Sequence, residues 1–118
     1  MFVGAHVILY SQDAAADREF IRDVLGFPHV DAGAGWLIFK LPPAEIAVHP
    51  TDDAPRPEFY LMCPDINKAL DMVAATGVTV SRDVTEARWG LLATIPLPGG
   101  GELPIYQPRH PVAYNLAD

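Results

Sequence analysis

Two stretches of the chain share one order of hydrophobic and polar positions. Residues 6–13 (HVILYSQD) and 58–65 (EFYLMCPD) each begin with an ionisable side chain, continue through β-branched or aromatic residues and end in Asp. An amphipathic segment follows each stretch and closes on a glycine, Gly26 in the first copy and Gly77 in the second. A repeat after about fifty residues indicates two copies of one supersecondary unit.

The first copy is predicted to fold as a strand, a helix and further short strands. The strand is predicted over residues 3–10, and Asp13 is predicted to cap a helix over residues 14–25. The buried stripe of this helix contains Phe20, Ile21, Val24 and Leu25. Two or three strands are predicted after it, over residues 36–41 and 44–49 and, as a possible short strand, over residues 29–31.

The second copy repeats this order after a proline-rich linker at residues 51–57. A strand over residues 58–62 precedes Asp65, the predicted cap of a helix that ends near residue 75. Its buried stripe contains Ile66, Ala69, Leu70, Val73 and Ala74. Strands are predicted over residues 78–80, 90–95 and 102–106, and Pro104 indicates an edge strand or a bulge.

Composition narrows the class of protein. The 118 residues fit one domain, with module one at about 4–50, module two at about 58–108 and a tail at 109–118. A net charge of -7 argues against nucleic-acid binding and would attract a cationic small molecule, although many cytoplasmic proteins are equally acidic. We expect no membrane association, because no apolar run approaches the roughly 18 residues of a span. The single Cys63 fits a reducing, cytoplasmic location and is expected to pack as a small apolar residue.

The chain resembles the vicinal oxygen chelate superfamily, which holds glyoxalase I, the bleomycin resistance proteins and the extradiol dioxygenases. The resemblance lies in the two units, the glycine-rich turn at residues 98–101 and the ending ELPIYQP at residues 102–108, and it covers about residues 4–108. It implies an α+β fold in which two βαβββ modules form a cupped mixed sheet around a small-molecule site. It also implies a homodimer.

The resemblance further implies a metal site with four ligand positions, on the first and last strands of the two modules. His6 and Glu58 correspond to the first-strand positions and are competent ligands. The last-strand positions correspond to Pro104 and to Ala47, or to Ile46 if the register slips, and none of these side chains can bind metal. Two of the four ligands are therefore missing for the divalent metal that is the candidate cofactor.

A third metal ligand could come from His49 or Glu45, with water supplying the rest. His6 and Glu58 could instead form a hydrogen-bonded pair that survives from an ancestral site. His49 could equally lie in solvent at a strand end, and His29 and His110 are expected on the surface.

Strand alternation predicts which side chains share the cup. The candidate ligand-binding residues are His6, Trp36, His49, Glu58, Tyr60 and Tyr106. Trp89 is an alternative to Trp36 for stacking on a ligand, and either tryptophan could equally pack in the core.

Two functions remain open at this point, and the sequence does not decide whether the protein is an enzyme. The first is a small-molecule-binding protein of the glyoxalase/bleomycin resistance/dioxygenase type with an incomplete metal-ligand set. The alternative is a metal-dependent lyase, isomerase or dioxygenase that acts on a small oxygenated substrate through His6 and Glu58.

Overall fold

The computed structural model describes residues 6–117 and confirms the α+β class. Its elements are helix α1 (Ala14–Phe20), which continues as a π-helical turn (Ile21–Leu25), strands β1 (His29–Asp31), β2 (Leu37–Phe39) and β3 (Leu61–Met62), helix α2 (Ile66–Ala74), and strands β4 (Thr85–Ala87), β5 (Gly90–Pro96) and β6 (Glu102–Pro108). Strands β1 and β2 form an antiparallel hairpin. The other four form a mixed sheet in the order β3-β6-β5-β4, in which β3 and β6 are parallel.

Both helices begin and end as the repeat predicts. The Asp13 carboxylate accepts a hydrogen bond from the Ala16 N–H at 3.1 Å, and the Asp65 carboxylate caps α2 in the same way. Gly26 follows the π-helical turn with a φ of 71°, and Gly77 follows α2 with a φ of +93°. These left-handed conformations favour glycine, so the sequence marks both helix ends correctly.

The hydrophobic core lies between α2 and one face of the mixed sheet. The buried residues of α2 are Ile66, Leu70 and Val73, as the amphipathic pattern predicts. On the sheet, Ala93 pairs with Ile105 and Ile95 pairs with Leu103, and all four side chains are buried. Phe20 and Leu97 complete this core, so α1 packs at the end of the sheet.

Several predicted strands are wrong. No strand forms over residues 6–10, 44–49 or 78–80. The mixed sheet contains instead a strand that was not predicted, β4. Residues 3–5 of the first predicted strand lie outside the described part of the chain. An extended segment becomes a strand only when a neighbour pairs with its backbone. Tyr10 and Ile46 are 93% and 94% exposed, so little of the described part of the chain packs against these two side chains.

Pro104 lies in an inner strand, but it has the predicted edge position on one side of that strand. Strand β6 lies between β3 and β5, and Pro104 pairs with Thr94 of β5. Strand β3 pairs only with Ile105 and Tyr106, so the ladder on that side begins just after the proline. This position suits a residue that has no backbone N–H to donate.

Neither α1 nor α2 has the length and hydropathy that a membrane crossing requires, in the part of the chain described.

Candidate functional site

The face of the mixed sheet that points away from α2 carries an aromatic cluster, formed by Tyr60, Trp89 and Tyr106. Tyr60 directly precedes β3, in which Met62 pairs with Tyr106 of β6. Alternation along β3 therefore places Tyr60 on the same face as Tyr106. Trp89 directly precedes β5, and its carbonyl accepts a hydrogen bond from the Arg109 N–H at 2.8 Å. The ends of three neighbouring strands thus bring the three rings together.

The three rings of the cluster pack edge to face in every pair. The ring centroids of Tyr60 and Trp89 are 5.6 Å apart with an interplanar angle of 81°. Tyr60 and Tyr106 are separated by 5.5 Å at 88°, and Trp89 and Tyr106 by 4.9 Å at 81°. Each such pair contributes about 0.5–1.5 kcal/mol beyond the burial of its area, so the cluster is a rigid platform.

Two histidines extend the cluster. The His49 ring lies 6.0 Å from Trp89 at 82°, which brings this exposed candidate into contact with the site. His110 lies 6.1 Å from Tyr106 between ring centroids, and its Nε2 is 3.5 Å from the Tyr106 hydroxyl. His110, predicted on the surface, is partly exposed and also contacts Tyr106 of the cluster; His29 is exposed as predicted. The position of His110, four residues after Tyr106, was the one sequence feature that indicated this contact.

The Glu58 carboxylate contacts the cluster through Tyr60. The Tyr60 hydroxyl donates a hydrogen bond to Glu58 Oε2 at 2.8 Å, and Arg56 forms an ion pair with Glu58 Oε1 at 3.2 Å. Burial, followed by the hydrogen bond to Glu58 and its negative charge, raises the pKa of the Tyr60 phenol. Tyr60 therefore stays a neutral hydrogen-bond donor at neutral pH.

A second carboxylate, Glu45, joins the cup to the C-terminal tail. Its Oε1 accepts hydrogen bonds from the Ala113 N–H at 2.9 Å and the Tyr114 N–H at 3.3 Å. The pKa of the Tyr106 phenol is raised by burial first and by the negative charge of Glu45 second. Glu45 thus adds negative potential next to the cluster while it holds the tail beside the cup.

These groups line one open cavity of about 2040 Å³. All six ligand-binding candidates from the sequence lie in its walls: His6, Trp36, His49, Glu58, Tyr60 and Tyr106. Trp36 does not join the aromatic cluster: it directly precedes β2 of the separate hairpin, and the Arg18 guanidinium lies 4.5 Å from the centroid of its ring. Trp89, the alternative tryptophan, is the one that belongs to the cluster.

The residues present do not fit a resident divalent metal ion. Within residues 6–117, no three His, Cys, Asp or Glu side chains are grouped so that they could hold one. Both oxygens of Glu58 already have protein partners, and His6 is exposed. Such ions usually need at least about three protein ligands in one place.

Cys63 lies outside this site. It is half-buried, and its thiol contacts the Tyr106 carbonyl at 3.4 Å. Burial, and then the charge of Asp65, raises its pKa, so the thiol stays protonated and packs against the core as predicted.

Neither a family model nor a curated protein matches the chain. Solved structures do match. Lactoylglutathione lyase from Agrobacterium tumefaciens superimposes with a TM-score of 0.61 at 19% identity, over 89% of this chain and 92% of that chain. An antibiotic-binding protein from Streptomyces sp. CB03234 gives a TM-score of 0.58 at 20% identity, over 88% and 99%. A virulence protein from Salmonella typhimurium gives 0.57 at 21% identity, over 91% and 98%.

The chain has the fold of these proteins. The fold that the sequence resemblance implied is therefore confirmed, although residues 6–10 and 44–49 do not form their predicted strands. The similar proteins include both a lyase and a binding protein, so the fold by itself leaves the activity open.

Proposed function

We propose that the chain is a small-molecule-binding protein of the glyoxalase/bleomycin resistance/dioxygenase type, and that its ligand lies in the cup against the aromatic cluster. The observation that carries the proposal is the position of Tyr60, Trp89 and Tyr106 in the wall of one large cavity. Largely apolar walls with a few converging polar groups, here Glu45 and Glu58, are typical of ligand sites.

The alternative is a metal-dependent lyase, isomerase or dioxygenase that acts through His6 and Glu58. Both residues line the same cavity, which supports this alternative. The lack of a third His, Cys, Asp or Glu side chain grouped with them among residues 6–117 argues against it, because a divalent metal ion usually needs about three protein ligands. We therefore favour the binding protein.

A titration with planar aromatic compounds tests the proposal. In a Trp36→Phe background the tryptophan fluorescence comes from Trp89 alone, so ligands that enter the cup should quench it. We expect micromolar dissociation constants for the best compounds, a free energy of about -8 kcal/mol. Calorimetry should show at least about tenfold weaker binding in Trp89→Leu, the loss of one aromatic contact. Tyr10→Leu is the control and should bind normally, because Tyr10 lies outside the cavity wall and is 93% exposed.

The same preparation separates the two candidate functions. Elemental analysis should find no stoichiometric metal in the purified protein. A divalent metal bound one to one, and lost in His6→Ala, would favour the metal-dependent enzyme. Failure of every compound in the panel to bind would contradict the proposed function.

We also propose a homodimer, which the exposed surface supports. The chain exposes 9000 Å², whereas a folded monomer of 12.8 kDa exposes about 6300 Å². Its radius of gyration is 15.3 Å, against about 13.5 Å for a chain of this length. The exposed apolar residues include Ile46 and Val48, which are 94% and 91% exposed. A second copy that covers them would form an interface of the size found in obligate dimers.

Light scattering tests the dimer. The protein should have twice the mass of the 12.8 kDa chain. Ile46→Lys should weaken the association, because it places a charge in the covered surface. Met72→Lys is the control, since Met72 lies on the exposed side of α2 with 73% exposure and should leave the mass unchanged. A mass of one chain at micromolar concentration would contradict the dimer.

Two further parts of the proposal concern organisation and location. We propose modules at about residues 4–50 and 58–108, joined at residues 51–57 and followed by a tail at 109–118. The absence of helix and strand over residues 51–57 and the two capped helices support these bounds. The single cysteine supports a cytoplasmic location.

A further inference from the structure

We infer that the ligand of this cup is an organic cation, which the aromatic cluster and the carboxylates of Glu45 and Glu58 hold together. This inference rests on the proposed function and names the class of ligand. It excludes inorganic metal ions, and it predicts discrimination between a cation and a neutral molecule of the same shape.

The first observation is the geometry of the rings. Tyr60, Trp89 and Tyr106 lie nearly perpendicular to one another, at 81° to 88°, so their faces point in three different directions. The face of an aromatic ring carries partial negative charge and attracts cations, and tryptophan does so most strongly. Trp89 and Tyr60 are only half-buried, which leaves ring surface open to the cavity.

The second observation is the charge next to these rings. Both tyrosine phenols lie in negative potential, since the charge of Glu58 acts on Tyr60 and that of Glu45 acts on Tyr106. The two contacts that Glu45 makes with the tail both use Oε1. The site therefore combines ring faces with carboxylates, two features that favour the same sign of ligand charge.

The basic residues in the cavity wall do not offset this charge at the cluster. Arg18 stacks on Trp36, and neither its charge nor that of Lys40 contributes to the pKa shifts of Tyr60 and Tyr106. Arg56 is the one basic residue paired with a cluster carboxylate, and its ion pair with Glu58 is half exposed. Exposed pairs of this kind contribute little, so an organic cation can replace the Arg56 guanidinium.

Substitution of Arg56 tests the sign of the ligand charge, because its effect on ligand affinity should be opposite to that of Glu58→Gln. If a cation is bound, Arg56→Ala removes a competitor and tightens binding. If an anion is bound, the same substitution weakens binding. A neutral ligand should be affected by neither Arg56→Ala nor Glu58→Gln.

The test compares choline with 3,3-dimethylbutan-1-ol, a neutral molecule of the same shape, by calorimetry on the full chain. We expect choline to bind at least about tenfold more tightly, the difference that a desolvated cation–π contact provides. Glu58→Gln should lower the choline affinity about threefold to tenfold, and Arg56→Ala should raise it by a similar factor. Both residues are exposed, so these variants should fold. Tyr10→Leu should keep the preference, because Tyr10 is 93% exposed and lies outside the cavity wall.

The outcomes separate this inference from the proposed function. Equal binding of the two probes, or tighter choline binding in Glu58→Gln, would overturn the inference. The inference is also overturned if neither probe binds while neutral aromatic compounds still quench the Trp89 fluorescence. In that case the proposed function stands. If no compound of any charge binds in the cup, both fail.

Discussion

The carboxylate of Asp17 accepts a hydrogen bond at 2.7 Å from the backbone N–H of Gly99, a residue 82 positions further along the chain. Asp17 lies in α1 and is 8% exposed, the one buried charged residue among those described. Gly99 lies in the turn between β5 and β6. This contact therefore fastens the helix of the first copy to the sheet of the second, next to the core residues Phe20 and Leu97.

Asp17→Ala should destabilise the protein by about 1–3 kcal/mol, because the buried Gly99 N–H loses the carboxylate that accepts its hydrogen bond. Urea unfolding followed by far-ultraviolet circular dichroism measures this free energy. Glu19→Ala in the same helix is the control, since Glu19 is exposed and its loss should change stability by less than about 0.5 kcal/mol. Equal stability of the two variants would show that the contact is absent in solution.

Gly99→Ala should be destabilising for a steric reason. A Cβ at Gly99 would overlap with the Ser11 hydroxyl and would lie 2.7 Å from Asp17 Oδ2. Overpacking of this kind usually costs about 1–3 kcal/mol in unfolding free energy. Gly101→Ala in the same turn is the matched control, because a Cβ there meets no atom within 4 Å. Thermal unfolding of the two alanine variants should therefore differ clearly.

The helices and the core could be predicted from the sequence because local signals determine them. Asp65 as a cap, Gly77 after the helix and the stripe from Ile66 to Val73 all act within a few residues of one another. The strands of the first copy could not be predicted in the same way. Residues 44–49 have strand composition, but pairing depends on a neighbour, and no strand among residues 6–117 pairs with them.

The site shows the same division between local and distant effects. Alternation along the strands predicted that Tyr60 and Tyr106 share a face, and the structure brings their rings to 5.5 Å. The choice between Trp36 and Trp89 depended on the pairing of β5 with β6, which no short pattern contains. The contact of His110 with Tyr106 depended on the path of the tail. Whether these residues bind a ligand stays a prediction.

Leu70→Ala should cost about 2–5 kcal/mol, because Leu70 is fully buried between α2 and the sheet and its truncation leaves a cavity. Met72→Ala is the control two residues away, since Met72 is 73% exposed. The free energies of unfolding in urea should differ by at least about 2 kcal/mol. A small difference would mean that α2 packs on the sheet through another face.

The raised pKa of Tyr106 predicts a loss of stability at alkaline pH. Burial and the charge of Glu45 hold the folded pKa above the ordinary value of 10.0. As the pH rises, the unfolded chain releases this proton first, so the free energy of unfolding falls from below pH 10 up to the raised pKa. In Tyr106→Phe this contribution is absent, and the decrease between about pH 9 and pH 11 should be smaller than in the parent protein.

Urea unfolding at several pH values measures this slope, and Tyr10→Phe is the control because it removes a phenol that is 93% exposed. The control should keep the alkaline slope of the parent protein. If Tyr106→Phe keeps it as well, the Tyr106 phenol ionises alike in the folded and unfolded chains. Its burial beside Glu45 would then be wrong, and with it the negative potential that the cup is inferred to offer a cation.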